Sequence, residues 1–224
     1  VIYNEFPMKE EANNKDYFLP DLGQVKLRSA PKREQLTLVC KAGHNDQHHN
    51  HNDIGSFIVH KKGWLPLIDP GGPHYSRQTF GPNRYDIMFC NSLGHSVPII
   101  DDQMQPVGKE YYGTMQAHNI NGEGHKQAVI DMTHAYAVNA LNKFTRIFDI
   151  HTEEHVLTLE DIFSFKEPPQ SLEEGFITNE DVEVTGDSVQ IGSQEDSVTL
   201  TAENCSGAFT VDRMEEESRK WRKK

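Results

Sequence analysis

The sequence contains no apolar run near the ~18 residues that a membrane-spanning helix needs, so a helical membrane protein is not a reading it supports. It has no basic surplus either: 22 lysines and arginines stand against 34 aspartates and glutamates, a formal charge of −12. A nucleic-acid binder would need a basic stripe, and that class is set aside as well. The same charge weighs against a polyanionic ligand unless basic residues gather locally. Cysteine is scarce. Cys40, Cys90 and Cys205 lie far apart and are odd in number, which fits neither a zinc ribbon nor a disulfide framework and reads as free thiols. The opening residues, Val1 to Met8, lack a basic segment followed by an apolar one, so no signal peptide is visible. The chain does not begin with Met, which leaves its compartment open. Repeats and low-complexity linkers are also missing, and apolar residues at i, i+3, i+4 and i+7 are nowhere sustained.

Short β-type segments take the place of helices, separated by Gly, Pro, Asn and Asp. Gln24–Leu27 and Leu36–Lys41 come first, with Leu36, Leu38 and Cys40 on one face at period two. Ser56–His60 and Trp64–Ile68 flank Lys61-Lys62-Gly63, a tight-turn sequence. Lys143–His151 and His155–Phe163 follow, and then Val182–Thr185, Val189–Ile191 and the alternation of Val198, Leu200 and Ala202. This pattern predicts an all-β fold, an antiparallel β-sandwich of two large sheets with long functional loops and few helices. Met214–Lys224, acidic at its start and basic at its end, suits a short terminal helix or a frayed tail. The stretch from Gly71 to Pro98 reads as a long excursion, and long loops in compact domains are often functional.

Of twelve histidines, four fall within eight positions: His44, His48, His49 and His51. Neutral imidazole is a common ligand for zinc and similar ions. If His49-Asn50-His51 is extended, residues 49 and 51 project to the same side. In a polar loop, however, such a pair is commonly just solvated. Asp69 ends the apolar segment Trp64–Ile68 and precedes Pro70-Gly71-Gly72, the usual setting of an Asx turn. His95, within Gly94-His95-Ser96, is by itself an ordinary core or surface histidine. His74, His118, His125, His134, His151 and His155 show no ligand spacing.

The order of these residues carries a resemblance. His49-Asn50-His51-Asn52-Asp53-Ile54-Gly55-Ser56-Phe57, then Asp69-Pro70-Gly71, then Tyr75, Arg84 and His95, resembles the heparinase II/III-like family. Tyr17 to Gly23, ahead of Val25–Ser29, looks like the start of the same module. Members of that family join an N-terminal α/α toroid to C-terminal antiparallel β-sheets. They are polysaccharide lyases that cleave uronic-acid glycans, heparan sulfate-like or alginate-like, by β-elimination. The resemblance implies residues 1–16 as a lead-in from an upstream toroid, 17–212 as the C-terminal β-sandwich and 213–224 as a charged tail. It implies His51, Asp69 and His95 as metal ligands, usually for a structural Zn2+, with His49 as the catalytic histidine. Asn50, Asn52 and Asp53 would be the partners that orient the ligand rings. Arg84 is a candidate substrate contact, although pinning of the loop is its simpler role. Tyr75 is expected to pack. The implied partners are an acidic polysaccharide and the toroid, without which the chain is expected to be inactive.

Two readings of other classes stay open: a non-catalytic carbohydrate-binding or scaffold sandwich, and a cupin-like metal enzyme, whose motif also begins His-x-His. The cupin motif wants a Glu a few residues further on, where this chain has Ser56 and Phe57.

Overall fold

The alternation read from the sequence becomes two five-stranded sheets in the computed structural model, which describes residues 15–30, 36–193, 196–204 and 207–214. Cys205, the lead-in before residue 15 and the expected terminal helix beyond Met214 lie outside the described residues.

The chain begins with β1 (Tyr17–Leu19), β2 (Gln24–Arg28) and β3 (Leu36–Lys41). It then leaves that sheet to form β4 (Gly43–Asn45), and returns as β5 (Phe57–Lys61) and β6 (Trp64–Leu67). Lys62 and Gly63 are both left-handed between β5 and β6, as a two-residue hairpin turn requires. No strand occurs between Leu67 and Pro98 among the described residues. Four 3-10 turns fill the interval, at Gln78–Phe80, Arg84–Asp86, Met88–Cys90 and Ser92–Gly94. The excursion expected there is present.

β7 (Pro98–Ile100) opens the second half, followed by β8 (Gly108–His118), β9 (His125–Asp131), β10 (Leu141–His151) and β11 (Val156–Phe165). The last strands are β12 (Leu172–Glu174), β13 (Val182–Thr185), β14 (Ser188–Gly192) and β15 (Ser197–Thr201). One large sheet runs β1-β2-β3-β5-β6 and the other β11-β10-β9-β8-β4, with small sheets β12-β7 and β13-β14-β15. Every pairing is antiparallel. β8 and β9 are not among the sequence-derived strands, and no α-helix occurs among the described residues.

Register explains the core. Val25 pairs with Cys40 and Leu27 with Leu38, so all four face inward from the first sheet. Ala128, Ile130, Phe144, Phe148 and Ile150 face them from the second. Phe57 meets Phe148 edge-on across the interior at 5.0 Å. Each such side chain, fully buried, contributes roughly 1.5–3 kcal/mol. Because β3 and β5 belong to one sheet while β4 joins the other, the histidine-rich loop between β4 and β5 hangs where the chain crosses between layers.

Candidate metal centre

His51 follows a turn in which the Asn50 amide donates to the Gln47 carbonyl (3.2 Å) and His49 is left-handed (φ +59°). The segment is therefore not extended, and the period-two argument that placed rings 49 and 51 on one side does not hold. His49 lies exposed on that turn, while His51 is half-buried.

Backbone and side-chain bonds fix the loop after His51. Asn52 donates its amide to the Cys90 carbonyl (3.0 Å) and its Nδ2 to the Gln105 carbonyl (3.0 Å). The Ser92 hydroxyl donates to the Asn52 carbonyl at 2.8 Å and accepts from the Gln105 amide at 3.0 Å. The Gln105 side chain accepts from the Ile54 amide (2.9 Å) and donates to the Ile54 carbonyl (2.7 Å). Arg146, with no exposed surface, sits deeper. Its NH1 donates to the carbonyls of Gly55 and Ser96, each at 3.0 Å, and its charge is met by Asp161 and Glu174, both at 2.6 Å. One guanidinium thus ties the loop carrying His51 to the one carrying His95. Gln105 and Arg146 were not singled out from the sequence. For Arg146 there was a signal: it shares parity with Phe144, Phe148 and Ile150 on β10.

Two glycines of the motif have steric reasons. A Cβ on Gly55 (φ +85°) would run into the end of the Met132 side chain, and one on Gly94 would meet the Met88 carbonyl oxygen at 2.5 Å. At Gly94 the obstacle is backbone, and at Gly55 it is the left-handed φ together with the buried Met132 side chain, which must give way.

Of the three expected ligands, His51 and His95 come together and Asp69 reaches His95, whereas the three side chains whose donor atoms all lie within 4.8 Å of one another are His51, His95 and Asp53. The His51 and His95 rings lie 5.1 Å apart between centroids. Asp69 Oδ1 accepts from the Gly71 amide (2.7 Å), so the Asx turn is real, and Oδ2 lies 3.3 Å from His95 Nδ1. The buried His95 places Nε2 3.2 Å from the Phe89 carbonyl, which can only accept; Nε2 therefore carries the hydrogen. Nδ1 faces the Asp69 carboxylate, as a lone pair in the neutral ring and as an N–H donor in the protonated one, and it meets no other hydrogen-bond partner. Two acceptors face to face need a proton or a cation between them. The Asp53 carboxylate, by contrast, accepts from Lys41 Nζ through Oδ1 at 2.6 Å, so its charge is largely satisfied.

In the absence of an ion, the electrostatics place a proton between His95 and Asp69. Burial, then neighbouring His95, lowers the His51 pKa to about 4, so its ring is neutral at neutral pH. Burial would raise the Asp69 carboxyl, but His95 and the Gly71 amide outweigh it and bring it down to about 2. Burial would lower His95, but Asp69 and Asp53 overcome that and raise it. A neutral imidazole, an ionised carboxylate and a buried unpartnered ring nitrogen make a donor set that fits a borderline divalent ion such as zinc.

The remaining expected residues do other work. Asn50 accepts from Tyr85 OH through Oδ1 (2.9 Å) and from Arg84 NH2 through its carbonyl (2.9 Å). Arg84 NH1 donates to the Thr79 carbonyl (2.9 Å), so this guanidinium pins the loop. Asn50, Asn52 and Asp53 hold backbone and Lys41 rather than ligand rings; the ring partner is the Phe89 carbonyl, invisible in sequence because any residue offers one. Tyr75, expected to pack, is 72% exposed and touches Phe80 edge-on.

Residues 12–219 match the profile of the family described as heparinase II/III-like, C-terminal. Among solved structures, a heparan sulfate lyase, HepC, from Pedobacter heparinus superposes with a TM-score of 0.69 at 15% identity, covering 87% of this chain and 30% of that one. A heparinase III gene product gives 0.64 at 13% identity, covering 81% and 27%, and a further heparinase III gives 0.59 at 18%, covering 81% and 28%. The chain thus spans less than a third of the length of these solved proteins. No curated protein sequence matched.

Proposed function

As the chain belongs to the heparinase II/III-like family as its C-terminal domain, we propose that it is the metal-holding half of a polysaccharide lyase that cleaves uronic-acid-containing glycans by β-elimination. The observation that carries the metal part is the buried Nδ1 of His95, unpartnered and 3.3 Å from the Asp69 carboxylate. His51, Asp69 and His95 would hold the ion. A bound Zn2+ supplies a cross-link between three loops, with binding energy that adds to the stability of the fold.

His49 is the residue we assign to proton transfer. Elimination removes the proton at C5 of the uronate, breaks the bond from C4 to the glycosidic oxygen, and leaves a double bond between C4 and C5. One group must take that proton and another must deliver one to the departing oxygen. An exposed imidazole on a turn of the same loop as His51 can take a proton or deliver one. The second proton-transfer group, and the one that neutralises the uronate carboxylate, are assigned to an upstream α/α toroid, as are most contacts that choose the sugar. Arg84 is left to its loop.

The test is made on a protein joining this domain to its toroid, assayed by ultraviolet absorbance of the unsaturated product. His49→Ala should lower turnover by about 10²–10⁴-fold and leave metal content unchanged. His51→Ala should lose the tightly held ion and lower the unfolding midpoint. If activity survives His49→Ala, the non-catalytic sandwich is the better reading. If elemental analysis finds no ion in wild type and His51→Ala is as stable, the metal assignment is wrong.

A further inference from the structure

A second cluster of imidazole and carboxylate lies on the strands. β9 and β10 are antiparallel and place His125 opposite His151, and Gln127 opposite Asp149. Side chains two apart on a strand share a face, and cross-strand partners share it too, so these four stand together. That face is the one turned away from the core, since the intervening Lys126, Phe148 and Ile150 are buried. The rings of His125 and His151 are 4.2 Å apart between centroids. His125 Nδ1 lies 3.1 Å from Asp149 Oδ2, and His151 Nε2 lies 3.9 Å from Asp149 Oδ1. Donor atoms of all three lie within 4.8 Å of one another.

We propose that His125, Asp149 and His151 form a second binding site for a divalent transition ion of the zinc kind, distinct from the loop site. Bonds of about 2.0 Å in a tetrahedral shell put donors about 3.3 Å apart, and three donor atoms within 4.8 Å of one another reach that spacing by small side-chain adjustments. The supports are already in place. Gln127 Nε2 donates to Asp149 Oδ2 at 2.7 Å and fixes the carboxylate. Glu154 stands 3.7 Å from Nδ1 of His151, on the opposite side of the ring from the Nε2 that faces Asp149. A carboxylate behind a ligating imidazole raises its basicity. The flanking turns are clamped together: the Thr152 amide donates to the Gly124 carbonyl (2.9 Å), and the Gly124 amide to the Thr152 hydroxyl (2.8 Å).

The observation that favours an ion over a plain histidine–aspartate pair is Asp149 Oδ1. It is buried and has no hydrogen-bond partner. A polar atom left so costs about 1–3 kcal/mol, more when charged, and the nearest imidazole nitrogen, His151 Nε2 at 3.9 Å, is too far for a hydrogen bond. A cation between Oδ1, His125 Nδ1 and His151 Nε2 would satisfy it and staple the start of β9 to the end of β10. With its side chain 63% exposed, His125 leaves the site open to solvent, so this ion exchanges readily.

The experiment is a Zn2+ titration of the full chain, followed by direct binding and by the ring-nitrogen resonances of histidine. Wild type should take up a second, weaker ion after the tightly held one, with His125 and His151 shifting together. His125→Gln and Asp149→Asn should each weaken that second phase by about tenfold or more and leave the first intact. His134→Gln, which alters a ring stacked on Tyr112 outside the cluster, should change neither. The exposed His125 makes its variant safe for folding, checked by circular dichroism. A titration in which His125 and His151 do not shift together, or in which no phase is weakened by His125→Gln and Asp149→Asn, overturns the proposal. Since none of these ligands belongs to the loop site, failure here says nothing against that site, and the reverse also holds.

Discussion

His51, Asp69 and His95 come from three separate loop segments, whereas His125, Asp149 and His151 come from two paired strands. The loop cluster is held by groups that do not belong to it: Arg146 bridges Gly55 to Ser96, and Gln105 grips both sides of Ile54. The strand cluster is held by the ladder itself, through the pairings His125–His151 and Gln127–Asp149. Each contains a buried polar atom without a partner, His95 Nδ1 in one and Asp149 Oδ1 in the other. Similar donor sets can therefore be assembled by buried scaffolding or by register alone. The first arrangement makes the site depend on distant residues, and the second does not.

Breaking the scaffold should produce the largest effect. Arg146→Ala leaves Asp161 and Glu174 without their shared cation and frees two carbonyls inside the sandwich. Removing one partner of a buried ion network costs about 3–5 kcal/mol, so the urea midpoint should collapse and the tightly held ion be lost with it. The strand cluster, which makes no bond to Arg146, should keep its second-ion binding in whatever fraction stays folded. Equal loss at both clusters would show that they are not independent.

Gly55→Ala probes the same dependence more locally. The new methyl would run into the buried end of the Met132 side chain on a left-handed backbone (φ +85°), so Met132 or the loop must give way. A cost of about 1–3 kcal/mol is expected. First-ion affinity should fall more than stability does, because His51 lies four residues away on the same loop. Denaturation set beside metal retention checks this.

How far the sequence spoke differs between these regions as well. β3 and β13 were legible to the residue, because their apolar residues alternate cleanly at period two. β8 was not. Its inward stripe is Tyr111, Gly113, Met115 and Ala117, but only Gly113 is buried, and a glycine, a tyrosine and an alanine make a weak apolar signal. The proposed loop ligands could be picked out only through their family order, since Asp69 alone is an Asx-turn aspartate and His95 alone an ordinary histidine. The strand ligands were hidden for a different reason. Asp149 and His151 share parity in the sequence, but their meeting with His125 depends on a register that no local pattern encodes. Arg146 was hidden by its chemistry, because a charged residue reads as outward-facing even when its neighbours at period two are Phe144 and Phe148.

Acid should separate the histidines of the loop cluster in ion-free protein. His51 has a folded pKa of about 4, below its ordinary 6.5, so its contribution is fully present above pH 6.5 and is lost as pH falls toward 4. Asp69, lowered to about 2 from 3.8, adds a further loss only below that range. His95 is raised, so it contributes in the opposite sense: its stabilisation is present below 6.5 and is lost as pH rises. Thermal midpoints between pH 4 and 7 should therefore fall toward acid in wild type, and His51→Gln should flatten or reverse that slope. A His51→Gln profile that still falls as steeply as wild type would mean that His51 is not held neutral by its surroundings.

The smallest effect belongs to the strand cluster. In ion-free protein His125→Gln removes one partly exposed contact to Asp149, the kind of pair worth about 0–1 kcal/mol. The ladder between β9 and β10 is untouched, and Asp149 keeps its bond from Gln127. Stability without zinc should therefore scarcely change. With zinc added, wild type should gain a few degrees in its unfolding midpoint beyond what the first ion provides, and His125→Gln should not. The contrast lies in the conditions: Arg146→Ala is damaging with or without metal, while His125→Gln is silent until the second ion is offered. A loss of stability from His125→Gln in the absence of metal would mean that side-chain contacts, and not the strand register, hold that end of the sheet together.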